Sequence, residues 1–147
     1  MPALNLILSP DTFAVCRAAP DDPIPSWAAS GPIYSITRTP DELSIVCLQA
    51  LVPAGIRHEP GWRCLRVAGT MDFTAVGDLA SLAGPLAEAG ISLFAFSTFD
   101  TDYLLVKETD LEKSKAALRR AGHTIEGGRQ DPNHPSAAES STRGGRT

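Results

Sequence analysis

The chain has 147 residues, of which 43% are hydrophobic and 20% charged, and it carries a formal net charge of −4. That length suits one compact body or two small fused units of ordinary globular composition. The acidic balance gives no electrostatic attraction to nucleic acid or to an anionic membrane, and no apolar run approaches the roughly 20 residues of a membrane span.

Residues 4–8 (LNLIL) and 12–17 (TFAVCR) read as a first hairpin, turned at Ser9, Pro10 and Asp11. The opening MPALNLILSP has no basic flank and too short an apolar core for a signal peptide, so a cytoplasmic location is expected. Pro20, Pro23 and Pro25 among acidic residues mark 19–25 as loop. Residues 26–29 suit one helical turn, ended by Gly31 and Pro32, and strands follow at 33–38 and 43–48. Pro53, Gly55, Pro60 and Gly61 make 53–61 the link to a second half.

Residues 62–68 (WRCLRVA) alternate as a strand. Residues 74–89 place Val76, Leu79, Ala83 and Leu86 on one helical face. Gly84-Pro85 offends the rule against proline in a helix interior, so that helix is expected to be kinked or split there. Gly90 suits its end. Strands at 91–98 and 102–107 form a hairpin. Thr109-Asp110-Leu111-Glu112 has the form of a capping box opening a helix to 121, which Gly122 closes before a short strand at 123–125. The order β-α-β-β-α-β predicts an α+β, ferredoxin-like unit with an antiparallel sheet packed on two helices.

The first half is expected to be a degenerate copy that has lost most of its helix. The expected division is 1–61 for the N-terminal unit and 62–125 for the C-terminal unit. Residues 126–147 contain no aromatic residue, Leu, Ile or Val, and are expected to be a disordered tail. Cys16, Cys47 and Cys64 are odd in number and widely spaced, which argues for buried thiols rather than a disulfide framework or zinc knuckle.

The chain says nearly the same thing twice. YSITRTPDELSIV at 34–46 and LFAFSTFDTDYLLV at 93–106 are each an apolar run, a turn with Thr and acidic residues, and a second apolar run. Laying Asp41–Val46 over Thr101–Val106 leaves one extra residue in the second turn. A duplicated hairpin implies two copies of one small unit, often with a ligand groove between them.

STFDTDYLLV, preceded by a strand, a helix and GIS, together with TRTPDELSIV, resembles the ACT-domain proteins of the small bacterial tandem-ACT type. This group is similar to the CASTOR-like arginine sensors and to the regulatory domain of aspartate kinases. The resemblance covers residues 4–125. It implies tandem ferredoxin-like ACT units, no enzyme activity, no cofactor, a homodimer, and an allosteric ligand-sensor role in which a free amino acid binds in the cleft between units.

The resemblance sets the ligand against the loop of Gly69, Thr70, Met71, Asp72 and Phe73, where exposed backbone N–H groups and a helix N-terminus suit a carboxylate. The bland alternative is that Thr70, Asp72 or Thr74 caps the helix. A second wall comprises Thr98, Phe99, Asp100, Thr101 and Asp102, with Asp100 or Asp102 available to an ammonium group. Its alternative is a turn whose Asp and Thr side chains bond their own backbone. A third wall comprises Thr39, Glu42, Leu43, Ser44 and Ile45, with Ser44 and Ile45 offering backbone groups. There Asp41 and Glu42 can instead start a helical turn, and Arg38 can meet a carboxylate or lie solvated.

Three rivals remain. An enzyme reading rests on Asp100 and Asp102 with His58 or His123 as base, but such an acidic pair is common, and no phosphate loop or metal-ligand spacing accompanies it. A nucleic-acid reading rests on the fold alone, without the basic and aromatic pattern it needs. The alternative with most support is a protein-interaction or homodimerisation module without a small ligand.

Overall fold

The computed structural model describes residues 3–69 and 77–127. The elements are β1 (Asn5–Ala18), β2 (Ser35–Arg38), β3 (Leu43–Leu48), β4 (His58–Val67), α1 (Asp78–Glu88), β5 (Leu93–Ser97), β6 (Asp102–Lys107), α2 (Leu111–Arg120) and β7 (Thr124–Gly127), with 3-10 turns at Ser26–Ala29, Gln49–Leu51 and Glu108–Asp110. This is an α+β fold with the ferredoxin-like βαββαβ order running from β4 to β7. Among the described residues, one compact unit comprises 3–9 with 63–127, and the other comprises 10–62.

The expected first hairpin is not formed. Asn5–Ala18 is one strand of 14 residues. Its first part, Asn5–Leu8, pairs in parallel with β7, and its second part, Phe13–Ala18, pairs antiparallel with β3. Pro10 has no N–H to give and falls between those two ladders, so the strand tolerates it. Glu126 and Gly127 lie in β7, so the ordered chain extends past the expected boundary at 125. The rest of the expected tail, 128–147, lies outside the described residues.

In the 63–127 unit the strands stand in the order β7-β1-β4-β6-β5. The N-terminal segment therefore lies between the strands that open and close the βαββαβ order. Ala68 N–H donates to the Asn5 carbonyl at 2.8 Å, tying β4 to β1. Leu6, Leu8, Leu65, Val67, Leu104 and Val106 from the strands meet Leu82, Leu86, Leu111 and Leu118 from the helices in one apolar core.

Proline at position 85 does not break α1, and its neighbours show why. In a helix the N–H of residue 85 bonds the carbonyl of residue 81, and proline has no N–H to supply. The buried His123 lies at that carbonyl, with Nε2 2.8 Å from the Ser81 oxygen. Leu4 N–H donates to Nδ1 of the same ring at 3.0 Å. Nδ1 therefore accepts, Nε2 carries the proton, and the imidazole supplies the bond that Pro85 withholds. The expected split is absent: α1 runs unbroken from Asp78 to Glu88.

The expected capping box is also absent. Glu108–Asp110 forms a 3-10 turn, so Asp110 takes the cap position of α2 and makes no side-chain capping bond. Glu112 pairs instead with Lys115 at 3.4 Å, and the Ser114 hydroxyl donates to the Asp110 carbonyl at 2.7 Å.

The 10–62 unit has no α-helix among its described residues, in line with a degenerate copy. Its strand ladder runs β2-β3-β1, and Arg17 N–H donates to the Arg57 carbonyl at 3.0 Å. Ala14, Cys16, Ala28, Leu43, Ile45 and Cys47 form its core, with Trp27, Val52 and Ile56 packed against it. Arg38 is exposed at the end of β2, as expected, but its guanidinium is engaged. Its guanidinium donates to the Pro20 carbonyl and, at 2.7 Å, to the Asp22 carbonyl, pinning the proline-rich loop. All three cysteines are buried free thiols. Burial pushes the Cys64 thiol up to about 12, and the hydrogen bond between Cys16 and Cys47, together with burial, pushes the Cys16 thiol up.

Candidate functional site

β4 ends at Val67, and the chain then turns through Gly69, which holds φ +80 with nothing within 4 Å of a Cβ placed there. A left-handed backbone at an open position favours glycine and leaves the peptide accessible. Thr70, Met71, Asp72 and Phe73 lie outside the described residues, as does Thr74. On the far side of that stretch α1 begins at Asp78, later than expected, with Gly77 as its N-cap and no side-chain cap bond.

Within the same unit, the β5–β6 turn is held against the end of β4. The Thr101 hydroxyl, in a residue only 8% exposed, donates to the Val67 carbonyl at 2.8 Å. Two of the stretches singled out in the sequence, at Gly69 and at 98–102, are thereby brought together. Thr98 N–H donates to the Thr101 carbonyl at 2.9 Å, and Thr101 N–H donates to Thr98 Oγ1 at 3.3 Å. The Ser97 hydroxyl donates to an Asp102 carboxylate oxygen. Thr98, Thr101 and Asp102 thus spend their polar groups inside the unit, whereas Asp100 is exposed and Phe99 is 79% exposed.

The corresponding turn of the 10–62 unit is built the same way. Thr39 N–H donates to the Glu42 carbonyl at 2.9 Å, and Thr39 Oγ1 accepts from Asp41 and Glu42 N–H, each at 3.1 Å. These bonds make a closed turn, not the start of a helix. The ladders close at Arg38 with Leu43 and at Ser97 with Asp102, so each turn has four residues. Thr39 therefore corresponds to Thr98, and the expected extra residue does not exist. The repeat is set by a threonine hydroxyl reaching the N–H three residues on, which side-chain types alone do not align.

Leu43 and Ile45 are core residues, 0% and 1% exposed. Ser44 sits between Thr37 of β2 and Arg17 of β1 in the ladder. The backbone groups of this stretch belong to strand pairing on both flanks. The third expected wall thus offers the turn residues Thr39 and Glu42 more readily than Leu43–Ile45. Among the described residues, no group of three His, Cys, Asp or Glu side chains is placed to hold a metal ion. No helix among them is long and apolar enough to cross a membrane. Among the concave features that sequence reasoning passed over is a pocket in the 10–62 unit whose lining shares only Ile45 with the expected site.

The ACT domain family model matches residues 57–120, and a separate model for an N-terminal domain matches 11–55. An X-ray structure of a protein from Agobacterium tumefaciens is 40% identical, covers 89% of this chain and 99% of its own, and superposes with a TM-score of 0.83. The chain belongs to the ACT-domain family. The human cytosolic arginine sensor for mTORC1 subunit 1 is 40% identical to this ACT protein over 60 residues, 40% of the chain and 18% of the human protein. The mouse sensor is 31% identical over 103 residues, 60% of the chain and 31% of the mouse protein. The ACT protein therefore spans under a third of the length of the curated relatives it matches. The ligand-free regulatory subunit of aspartate kinase from Thermus thermophilus shares the fold, with a TM-score of 0.57 at 12% identity over 82% of this chain and 99% of its own.

Proposed function

We propose that this ACT protein is a non-enzymatic, cytoplasmic regulatory module that binds a free amino acid beside Gly69 and the 98–102 turn. The observation that carries the reading is the buried bond from Thr101 to the Val67 carbonyl, which fixes an open glycine backbone next to a turn bearing the exposed Asp100. An amino acid needs oriented N–H groups for its carboxylate and an acceptor for its ammonium. The open backbone at Gly69 suits the first need, and the exposed Asp100 suits the second. A relative described as a cytosolic arginine sensor supports the class of ligand. Bound ligand shifts a conformational or association equilibrium by its differential affinity for the two states.

The test is thermal unfolding of the full chain with each of the twenty amino acids at millimolar concentration. A ligand at a hundredfold excess over its Kd adds about 2.7 kcal/mol of stability. A selective rise in Tm with one or two amino acids, lost in Asp100→Ala, supports the site. No rise with any of them favours the second reading, a protein-interaction or homodimerisation module, to which the exposed Phe99 at the turn tip lends itself.

A further inference from the structure

The 10–62 unit has its own pocket, of about 380 Å3, within the range of about 300–1,000 Å3 in which small-molecule sites fall. Among its described residues the 10–62 unit has no α-helix to cover its sheet. A 3-10 turn and two loops take the place of helical cover over the sheet, and the residues beneath are small. Cys16 and Ala18 line the pocket with Ile45, while Pro23, Pro25 and Trp27 line it from one covering segment and Gly55 and Ile56 from the other.

The walls are held open. Proline fixes φ at positions 23 and 25. Arg38 holds the carbonyls of Pro20 and Asp22, and Asp22 is bonded to Ala19 twice, through its N–H and through Oδ2, each at 3.1 Å. A cavity whose walls are already ordered asks little further ordering of a ligand.

The charged residues of the lining are Arg17, Asp22 and Arg57. Arg17 is occupied, donating to the Asp41 carbonyl at 3.0 Å. The Asp22 carboxylate has spent one oxygen on Ala19 and retains acceptor capacity. The Arg57 guanidinium makes no hydrogen bond or ion pair to another described residue. One carboxylate and one available guanidinium beside an apolar floor complement a zwitterion with an apolar side chain.

We propose that this pocket binds a free apolar amino acid, its ammonium on Asp22, its carboxylate on Arg57 and its side chain over Cys16, Ala18 and Trp27. The site is separate from the one beside Gly69 and shares no residue with it.

The experiment is an amide-resolved NMR titration of the full chain with L-phenylalanine, L-leucine and L-isoleucine. The expected result is saturable shifts at Ala18, Asp22, Ile56 and the Trp27 indole with at least one of the three. Asp22→Asn, which keeps an acceptor for Ala19, and Arg57→Gln each weaken that ligand at least tenfold while Tm is unchanged. For phenylalanine, removing the ammonium (3-phenylpropanoate) or the carboxylate (phenethylamine) has the same effect. Equal binding by 3-phenylpropanoate, or unchanged affinity in both variants, overturns the zwitterion assignment. Shifts confined to Gly69 and 98–102 overturn this pocket while supporting the other site, and no saturable shift at millimolar concentration overturns the pocket outright.

Discussion

Thr101 shows how one hydroxyl sets the local geometry of the 63–127 unit. Buried, and 2.8 Å from the Val67 carbonyl, it ties a turn to a strand 34 residues earlier in the chain. Thr101→Val keeps the shape and removes the donor, so the carbonyl loses that partner in a place water does not reach. We expect a loss of about 1–3 kcal/mol in urea unfolding, and a much smaller loss for Thr101→Ser. The same change should weaken any amino acid held beside Gly69, because the two stretches are no longer fixed together. The residue types of this site were legible in the sequence: threonine and aspartate in a short turn, glycine after a strand. Their duties were not. Thr98 and Thr39 serve their own turns, Asp102 serves Ser97, and Arg38 serves the proline loop. Each of those bonds depends on a local backbone shape that composition does not reveal.

At the scale of elements, apolar spacing located both helices and the second hairpin, although Leu79 of the expected α1 face is exposed and Leu82 joins Leu86 in the core instead. It failed where pairing is remote. Ser9-Pro10-Asp11 has turn chemistry, yet β1 continues through it because its two halves meet partners far apart in sequence. Helix α1 keeps Pro85 for a reason equally remote, since its missing N–H is replaced from His123. That replacement predicts coupling. In Pro85→Ala the helix supplies its own bond to the Ser81 carbonyl, so His123→Leu should cost less there than in the parent chain. A double-mutant cycle by denaturant unfolding should return an interaction of about 0.5–1.5 kcal/mol, the net worth of one such bond. An interaction of zero would mean that the imidazole does not stand in for the proline's missing N–H. The pocket over Cys16 and Ala18 was illegible for a related reason. Small floor residues read as ordinary strand, and only the loops above them make a cavity.

On the scale of the whole molecule, the units are not consecutive stretches of chain. Residues 3–9 belong with 63–127, and 10–62 intervene. Leu6 and Leu8 are 0% and 1% exposed in the core of the 63–127 unit, and burying each is worth about 1.5–3 kcal/mol. A fragment of residues 57–127, which contains the whole ACT match, lacks both leucines and the strand beside β7. It should show poor amide dispersion and no cooperative melt. Appending residues 3–9 to its C-terminus through a flexible linker of about ten residues should restore both. A fragment that folds unaided would show that the N-terminal strand is dispensable.

The parallel ladder that joins Asn5 to Thr124 also sets a timetable for biosynthesis. The ribosome delivers LNLIL more than a hundred residues before its partner β7. At about 5–20 residues per second, the apolar opening segment spends several seconds without its mate. Residues 10–62 have all emerged long before then. Until β7 emerges, the nascent chain should therefore carry an unpaired apolar strand, a natural client for a holding chaperone, with release timed to the emergence of β7.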